Sequence, residues 1–373
     1  MTLKVLVVED SSVFRRIIIN VLSGIPNVEV IGSAMNGQMA LKKIQLCAPD
    51  LITLDLSMPE MDGFQFLDAI KRISPSPAVI VISASTNISE KLTLKAFEKG
   101  VLEFISKNFS GGIERTKEEL FKLLSPLIQA FQRRLEIRKV LSSTKISPKS
   151  PYYQQSTTGR EKPKVPPGSV AERMRRIEST CRAEMLLIGV STGGPTALAT
   201  LLPMIPKDIN IPIFIVQHMP SSFTQLLAEN LNAKCQIRIK QAVHREIAKP
   251  NYAYIAPGGQ HLGLTENYNK EIVMEISDDP PENNCKPAVD YLFRSAAKAF
   301  PGKSVVVILT GMGHDGTAGL KLLKEKKCYA IAQDEESCVV FGMPKAAIDA
   351  SLVDEVLPLD LIANEVYNFV KKR

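Results

Sequence analysis

The run Met185, Leu186, Leu187, Ile188, Gly189, Val190 is apolar throughout and reads as a parallel strand buried on both faces. Ser191 ends it, and Gly193, Gly194 and Pro195 come directly after. Proline suits the first helical position, so a helix is expected over 195–205 and a sharp strand-to-helix turn at Ser191. The same residues satisfy Gly-x-Ser-x-Gly, in which small neighbours let a strained turn push a serine hydroxyl into the open. Backbone N–H groups at the helix start could then stabilise an oxyanion. A glycine-rich turn of this kind also suits a phosphate cradle, and its serine can simply bond backbone.

The 373 residues leave room for two domains. Strands are expected over 3–8, 28–33, 51–54, 78–83 and 102–105, with helices over 11–22, 37–45, 63–73 and 89–99 and a last one that starts near 112–116 and can run on into the linker. Five short apolar strands alternating with helices describe a doubly wound parallel domain over 1–124, in which ligands gather at the carboxyl ends of strands. Glu9 and Asp10 follow the first strand there, Asp55 the third, Ser83 ends the fourth and Lys107 follows the fifth. Three converging carboxylates repel one another unless a cation joins them, and oxygen ligands suit Mg²⁺, which favours phosphoryl chemistry at a carboxylate.

This segment resembles a two-component receiver domain, of the flavodoxin-like kind, and the Met58 to Gly63 turn matches that family closely. The resemblance implies that Asp55 is the phospho-acceptor, that Glu9 and Asp10 hold Mg²⁺ with it, that Ser83 is the switch hydroxyl and that Lys107 reaches the phosphoryl group. Asn108 follows that lysine where receivers usually carry a cis proline; a cis non-proline bond costs about 2.5–4 kcal/mol.

Between Arg133 and Arg176 twelve basic residues face three acidic ones, a local excess of nine, so the rest of the chain carries −2 of the total +7. Proline, serine and charge punctuate 125–180, which reads as a basic flexible linker. With the charge lodged there, no basic–aromatic groove for nucleic acid is left, and no helix-turn-helix spacing comes after it. No apolar segment approaches the length of a membrane span and no signal-peptide pattern opens the sequence, so a cytoplasmic protein is expected. The six cysteines form no C-x-x-C pair and are expected as free thiols; Cys285 and Cys338 lie in polar, loop-like stretches.

Over 181–373 a second, larger, mainly parallel α/β domain is expected, with strands over 211–216, 236–239, 252–255, 272–276, 305–309 and 329–332. All four histidines, His218, His244, His261 and His314, fall in it. His218 follows the 211–216 strand, and Asp315 lies in the glycine-rich loop after the 305–309 strand. Ser191, His218 and Asp315 thus each sit at the carboxyl end of a buried strand, and acyl hydrolysis needs a hydroxyl, an imidazole and an orienting acid. A dinucleotide site fits poorly, because the glycine spacing is not G-x-G-x-x-G and Gln217-His218 stands where a ribose-binding acid belongs.

The stretches 188–195, 216–220, 256–261, 287–293 and 309–316 resemble the catalytic domain of the chemotaxis-receptor protein-glutamate methylesterases and glutamine deamidases. That resemblance implies Ser191 as nucleophile, His218 as base and Asp315 as orienter, with no metal in the esterase site. It further suggests the Thr192 and Met312 N–H groups as oxyanion donors, and His261 and Lys286 as substrate-cleft residues. The implied partners are the cytoplasmic domains of chemoreceptors, through which alone the protein meets the membrane, and a chemotaxis histidine kinase as phosphodonor. In the family the unphosphorylated receiver covers the catalytic cleft.

Overall fold

The computed structural model describes residues 2–83, 90–107, 109, 111–143 and 183–371. Asn108, Cys181 and most of the expected linker lie outside them. The chain divides into two compact units, Met1–Arg133 and Arg134–Arg373.

In the first unit the strands β1 (Leu3–Val8), β2 (Val28–Ala34), β3 (Leu51–Leu54), β4 (Ala78–Ser83) and β5 (Glu103–Ser106) form one parallel sheet in the order β2-β1-β3-β4-β5. Their unbroken aliphatic runs are what a sheet covered on both faces requires, and Val5, Val7, Ile52, Leu54 and Val81 are fully buried. The covering helices are α1 (Ser12–Ser23), α2 (Gly37–Cys47), α3 (Gly63–Ile70), α4 (Glu90–Glu98) and α5 (Ile113–Ser143). Ser11 caps α1 by accepting from the Phe14 N–H, and Asp62 with Gln65 closes a capping box at α3. The last helix runs on past residue 124 into the segment expected as linker. Leu120, Leu124, Leu127, Ile128 and Phe131 repeat at helical spacing on its buried face and carry it onward despite Pro126.

The second unit is built on a seven-stranded parallel sheet. It uses β6 (Met185–Val190), β7 (Ile213–Gln217), β8 (Arg238–Gln241), β9 (Tyr252–Ile255), β12 (Ser304–Ile308), β13 (Tyr329–Gln333) and β14 (Glu355–Leu357), in the order β14-β13-β12-β6-β7-β9-β8. Both expected doubly wound α/β folds are therefore present. Strand β7 starts two residues later than expected because Pro212 has no N–H to give the ladder. The expected 272–276 strand is not in this sheet. It is β11 (Ile272–Ser277), paired antiparallel with β10 (His261–Glu266) in a separate two-stranded sheet. Strands β10 and β14 went unanticipated: the first comes after a glycine turn without a long apolar run, and the second has only three residues.

Helix α6 (Gly194–Leu201) follows β6, α7 (Ser221–Asn232) follows β7, and α8 (Val289–Ala299) precedes β12. Then α9 (Thr317–Glu325), α10 (Met343–Asp349) and α11 (Leu359–Lys371) complete the layers. Strand order reverses between β1 and β3 in the first sheet and between β6 and β12 in the second. At such a point the helices leave to opposite faces and open a crevice at the strands' carboxyl ends. Both candidate sites lie at one of these crevices. Among the described residues, no helix is long and apolar enough to cross a membrane.

Candidate active site

In the first unit, Glu9, Asp55 and Ser83 are buried at the sheet's carboxyl edge, and Asp10 is exposed beside them. The Ser83 hydroxyl donates to Asp55 Oδ1 at 2.6 Å, and the Lys107 ammonium donates to Asp55 Oδ2 at 2.5 Å. Lys107 Nζ also lies 2.7 Å from Glu9 Oε2. Burial raises the Glu9 carboxyl to about 7, with the Asp55 charge adding to the rise and Lys107 opposing it. One oxygen each of Glu9, Asp10 and Asp55 lies within 4.8 Å of the others. Glu9 Oε2 accepts no well-aligned hydrogen bond, although it is buried. An all-oxygen donor set in which two of the three carboxylates are buried fits a hard divalent cation such as Mg²⁺.

In the second unit three strand ends meet. Gly193 adopts φ +75° at the turn after β6, and a Cβ on Gly194 would stand 1.8 Å from Gln217 Oε1, so neither position accepts a larger residue without rearrangement. The turn places Ser191 Oγ 3.0 Å from His218 Nδ1, and His218 Nε2 lies 2.7 Å from Asp315 Oδ2. The ring thus offers Nδ1 to the serine and Nε2 to the acid. With the proton on Nε2, donated to Asp315, Nδ1 keeps a lone pair for the serine O–H.

Asp315 is 3 % exposed and accepts at both oxygens. Val289 N–H donates to Oδ2, while Asp290 N–H, Gly316 N–H and Asn283 Nδ2 donate to Oδ1. Burial pushes this carboxyl up, but His218 and the Val289 and Asp290 N–H groups outweigh it and hold it down at about 2. Burial likewise works against the His218 imidazolium. The hydrogen bonds to Asp315 and Cys285, with the Asp315 charge, raise it nonetheless to about 9.

The frame around these three residues comes from groups whose roles the sequence did not disclose. Gln217 Nε2 donates to the carbonyls of both Ser191 and His218, at 3.0 and 3.1 Å, and so ties the ends of β6 and β7 together. Ser191 N–H donates to Thr310 O, and Thr310 Oγ1 donates to Thr192 O, which ties the same turn to β12. Gln217, adjoining the candidate base at a strand end, was visible as a polar residue after an apolar run; Thr310 and Asn283 gave no comparable signal.

Other expected residues are placed differently. His261 is fully buried; its Nδ1 accepts from Ala288 N–H and its Nε2 contacts Pro280 O at 3.1 Å, while the ring stacks on Tyr291. It therefore holds backbone rather than facing a cleft, a correction that follows from its place at the start of β10. Lys286 is engaged by Asp278, through both its carboxylate at 2.6 Å and its carbonyl at 2.8 Å. Among the described residues the Thr192 and Met312 N–H groups donate to no protein acceptor. His244 accepts from Ile276 N–H and His314 is exposed, which leaves His218 as the histidine at Ser191. Cys338 is buried, whereas Cys285 brings its sulfur to 3.6 Å from His218 Nδ1.

These folds define the class: a receiver joined to an α/β domain that carries a hydroxyl–imidazole–carboxylate chain at its topological switch point. Residues 5–116 match the response regulator receiver domain and residues 186–366 match the CheB methylesterase family. The chain is 44% identical to the protein-glutamate methylesterase/protein-glutamine glutaminase of Desulfotalea psychrophila over 99% of each chain, and 41% identical to that of Bacillus subtilis, again over 99% of each. The crystal structure of the Thermotoga maritima CheB methylesterase catalytic domain is similar to 50% of this chain and 99% of its own, with 41% identity and a TM-score of 0.49. The chain belongs to the family of protein-glutamate methylesterases/protein-glutamine glutaminases that carry an N-terminal receiver domain.

Proposed function

We propose that this protein hydrolyses glutamate γ-methyl esters on the cytoplasmic domains of chemoreceptors, releasing methanol, and deamidates receptor glutamines by the same path, under control of phosphorylation at Asp55. The observation that carries the reading is the continuous chain from Ser191 Oγ through both ring nitrogens of His218 to buried Asp315.

His218 Nδ1 takes the serine proton as Oγ attacks the ester carbonyl, and the developing oxyanion is met by the Thr192 and Met312 N–H groups, which have no other protein acceptor among the described residues. The imidazolium, held by Asp315, then protonates the departing methoxide. Methanol leaves, and a water deprotonated by the same nitrogen attacks the acyl-enzyme to release glutamate and restore the serine. With a glutamine side chain the leaving group is ammonia.

In the receiver, an Asp55 oxygen attacks the phosphorus of the kinase's phosphohistidine. Lys107 and the Ser83 hydroxyl, both within hydrogen-bond reach of that carboxylate, stabilise its product. Glu9, Asp10 and Asp55 are the residues that would hold Mg²⁺, which when bound neutralises charge on the transferred group. Phosphorylation then relieves inhibition of the esterase by the receiver.

The test is to incubate the protein with a methylated receptor fragment, with and without a small phosphodonor, and measure methanol. Release should rise with the phosphodonor, and Asp55→Asn should abolish the rise while leaving basal release in place. A phosphodonor response that survives Asp55→Asn would remove the regulatory half of the reading.

The rate should also depend on pH in a stated direction. A base raised to about 9 is mostly protonated below that pH. The kcat/KM for demethylation should therefore climb about tenfold per unit below the folded value and level off near pH 9. A profile already flat from pH 6 would mean that the base does not carry this raised value.

A further inference from the structure

The fold puts a thiol where ester hydrolysis needs none. Cys285 Sγ lies 3.6 Å from His218 Nδ1, the nitrogen that also faces Ser191 Oγ at 3.0 Å. One lone pair is thus met by two protic groups, from a segment preceding α8 and from the turn after β6. We propose that His218 Nδ1 and Cys285 Sγ, with Ser191 Oγ beside them, form a binding site for Zn²⁺ whose occupancy shuts off the esterase.

The spacing suits the ion. A tetrahedral zinc with Zn–S of about 2.3 Å and Zn–N of about 2.0 Å sets those two ligand atoms about 3.5 Å apart. The donor set of imidazole and thiolate selects a borderline-soft cation over Mg²⁺ or Ca²⁺, which demand oxygen. Asp315 completes the arrangement from behind. Its oxygens already accept from Val289, Asp290, Gly316 and Asn283, so it stays off the metal and receives the His218 Nε2 proton. That carboxylate–histidine pairing fixes the ring and leaves Nδ1 as the ligand nitrogen. Cys285, Ser191 and His218 are all partly exposed, so an ion reaches them from solvent.

Binding forms Zn–N and Zn–S bonds and releases the Cys285 thiol proton to solvent. It also occupies the lone pair that would otherwise accept the Ser191 proton, so a metal-loaded molecule cannot start hydrolysis. The inhibitory half of this inference rests on the proposed catalytic roles; the binding half does not.

The experiment uses the full chain and Co²⁺ as the first probe. Thiolate coordination gives a sulfur-to-cobalt charge-transfer absorption in the near ultraviolet, which cobalt held by the Glu9, Asp10 and Asp55 oxygens cannot produce. The band should saturate at one equivalent, vanish on adding Zn²⁺, persist when Cys47, Cys181 and Cys235 are changed to serine, and be lost in Cys285→Ala. Zinc should then inhibit methanol release over the range in which it displaces cobalt, EDTA should restore the rate, and Cys285→Ala should raise the half-inhibiting zinc concentration at least about tenfold. No band, a band that survives Cys285→Ala, or full activity with the site saturated would overturn the proposal. The band is read in the native protein without substrate, so a failure of the serine mechanism and a failure of the metal site are read separately.

Discussion

Ser191→Ala is expected to lower methanol release by about 10⁶-fold in kcat, the loss seen when a serine nucleophile is removed from a working hydroxyl–imidazole–carboxylate unit. Alanine removes the hydroxyl that His218 Nδ1 meets at 3.0 Å and leaves no group at that position able to form an ester. The substitution adds no bulk to a turn already tight enough that a Cβ on Gly311 would approach the Ser191 Cβ to 2.8 Å, so the fold should persist. Asp55 lies in the other compact unit, and its phosphorylation by a small phosphodonor should proceed unchanged. Methanol release by Ser191→Ala at even a tenth of the native rate would remove this serine from the mechanism.

Asp315→Asn is expected to cost about 10⁴-fold in kcat with little change in KM. Each oxygen of Asp315 faces N–H donors: Val289 and His218 at one, Asp290, Gly316 and Asn283 at the other. An amide must turn its NH₂ against one of these groups. If it faces His218, the ring proton moves to Nδ1, which then donates to the serine and cannot accept from it. The charge that holds the imidazolium is lost as well, so the His218 titration should fall below about 9 and the pH profile should shift to lower pH with it. Single-turnover kinetics across pH, with a thermal melt to show the second unit intact, separate this from simple unfolding. A variant with native kcat and an unmoved profile would show that the acid does not act through the ring.

Much of the fold was legible because both sheets are parallel and covered. Their strands are continuous aliphatic runs, such as 185–190 and 304–308, that no helix or loop explains as well. The polar residue that ends such a run is plain in the sequence, and Glu9, Asp55, Ser191 and His218 stand out in this way at carboxyl ends. Where that signal is missing, sequence reasoning fails. Strand β10 comes after a glycine turn and belongs to a two-stranded sheet whose pairing is set by contacts with α8 and β11. His261, at its first position, is a cleft residue by the family resemblance, whereas the structure buries it against Tyr291 and the backbone of Ala288 and Pro280.

The sequence alone determined two parallel α/β units and the edge at which each carries its polar residues, Ser191, His218 and Asp315 among them. These depend on local hydrophobic runs and on the residues that interrupt them. Only the tertiary structure decided which nitrogen of His218 faces which partner, that Gln217 and Thr310 clamp the serine turn, that Asn283 braces Asp315 and that Cys285 reaches the base. Those contacts join residues at least 26 positions apart, and no periodicity along a chain records a distance across a crevice.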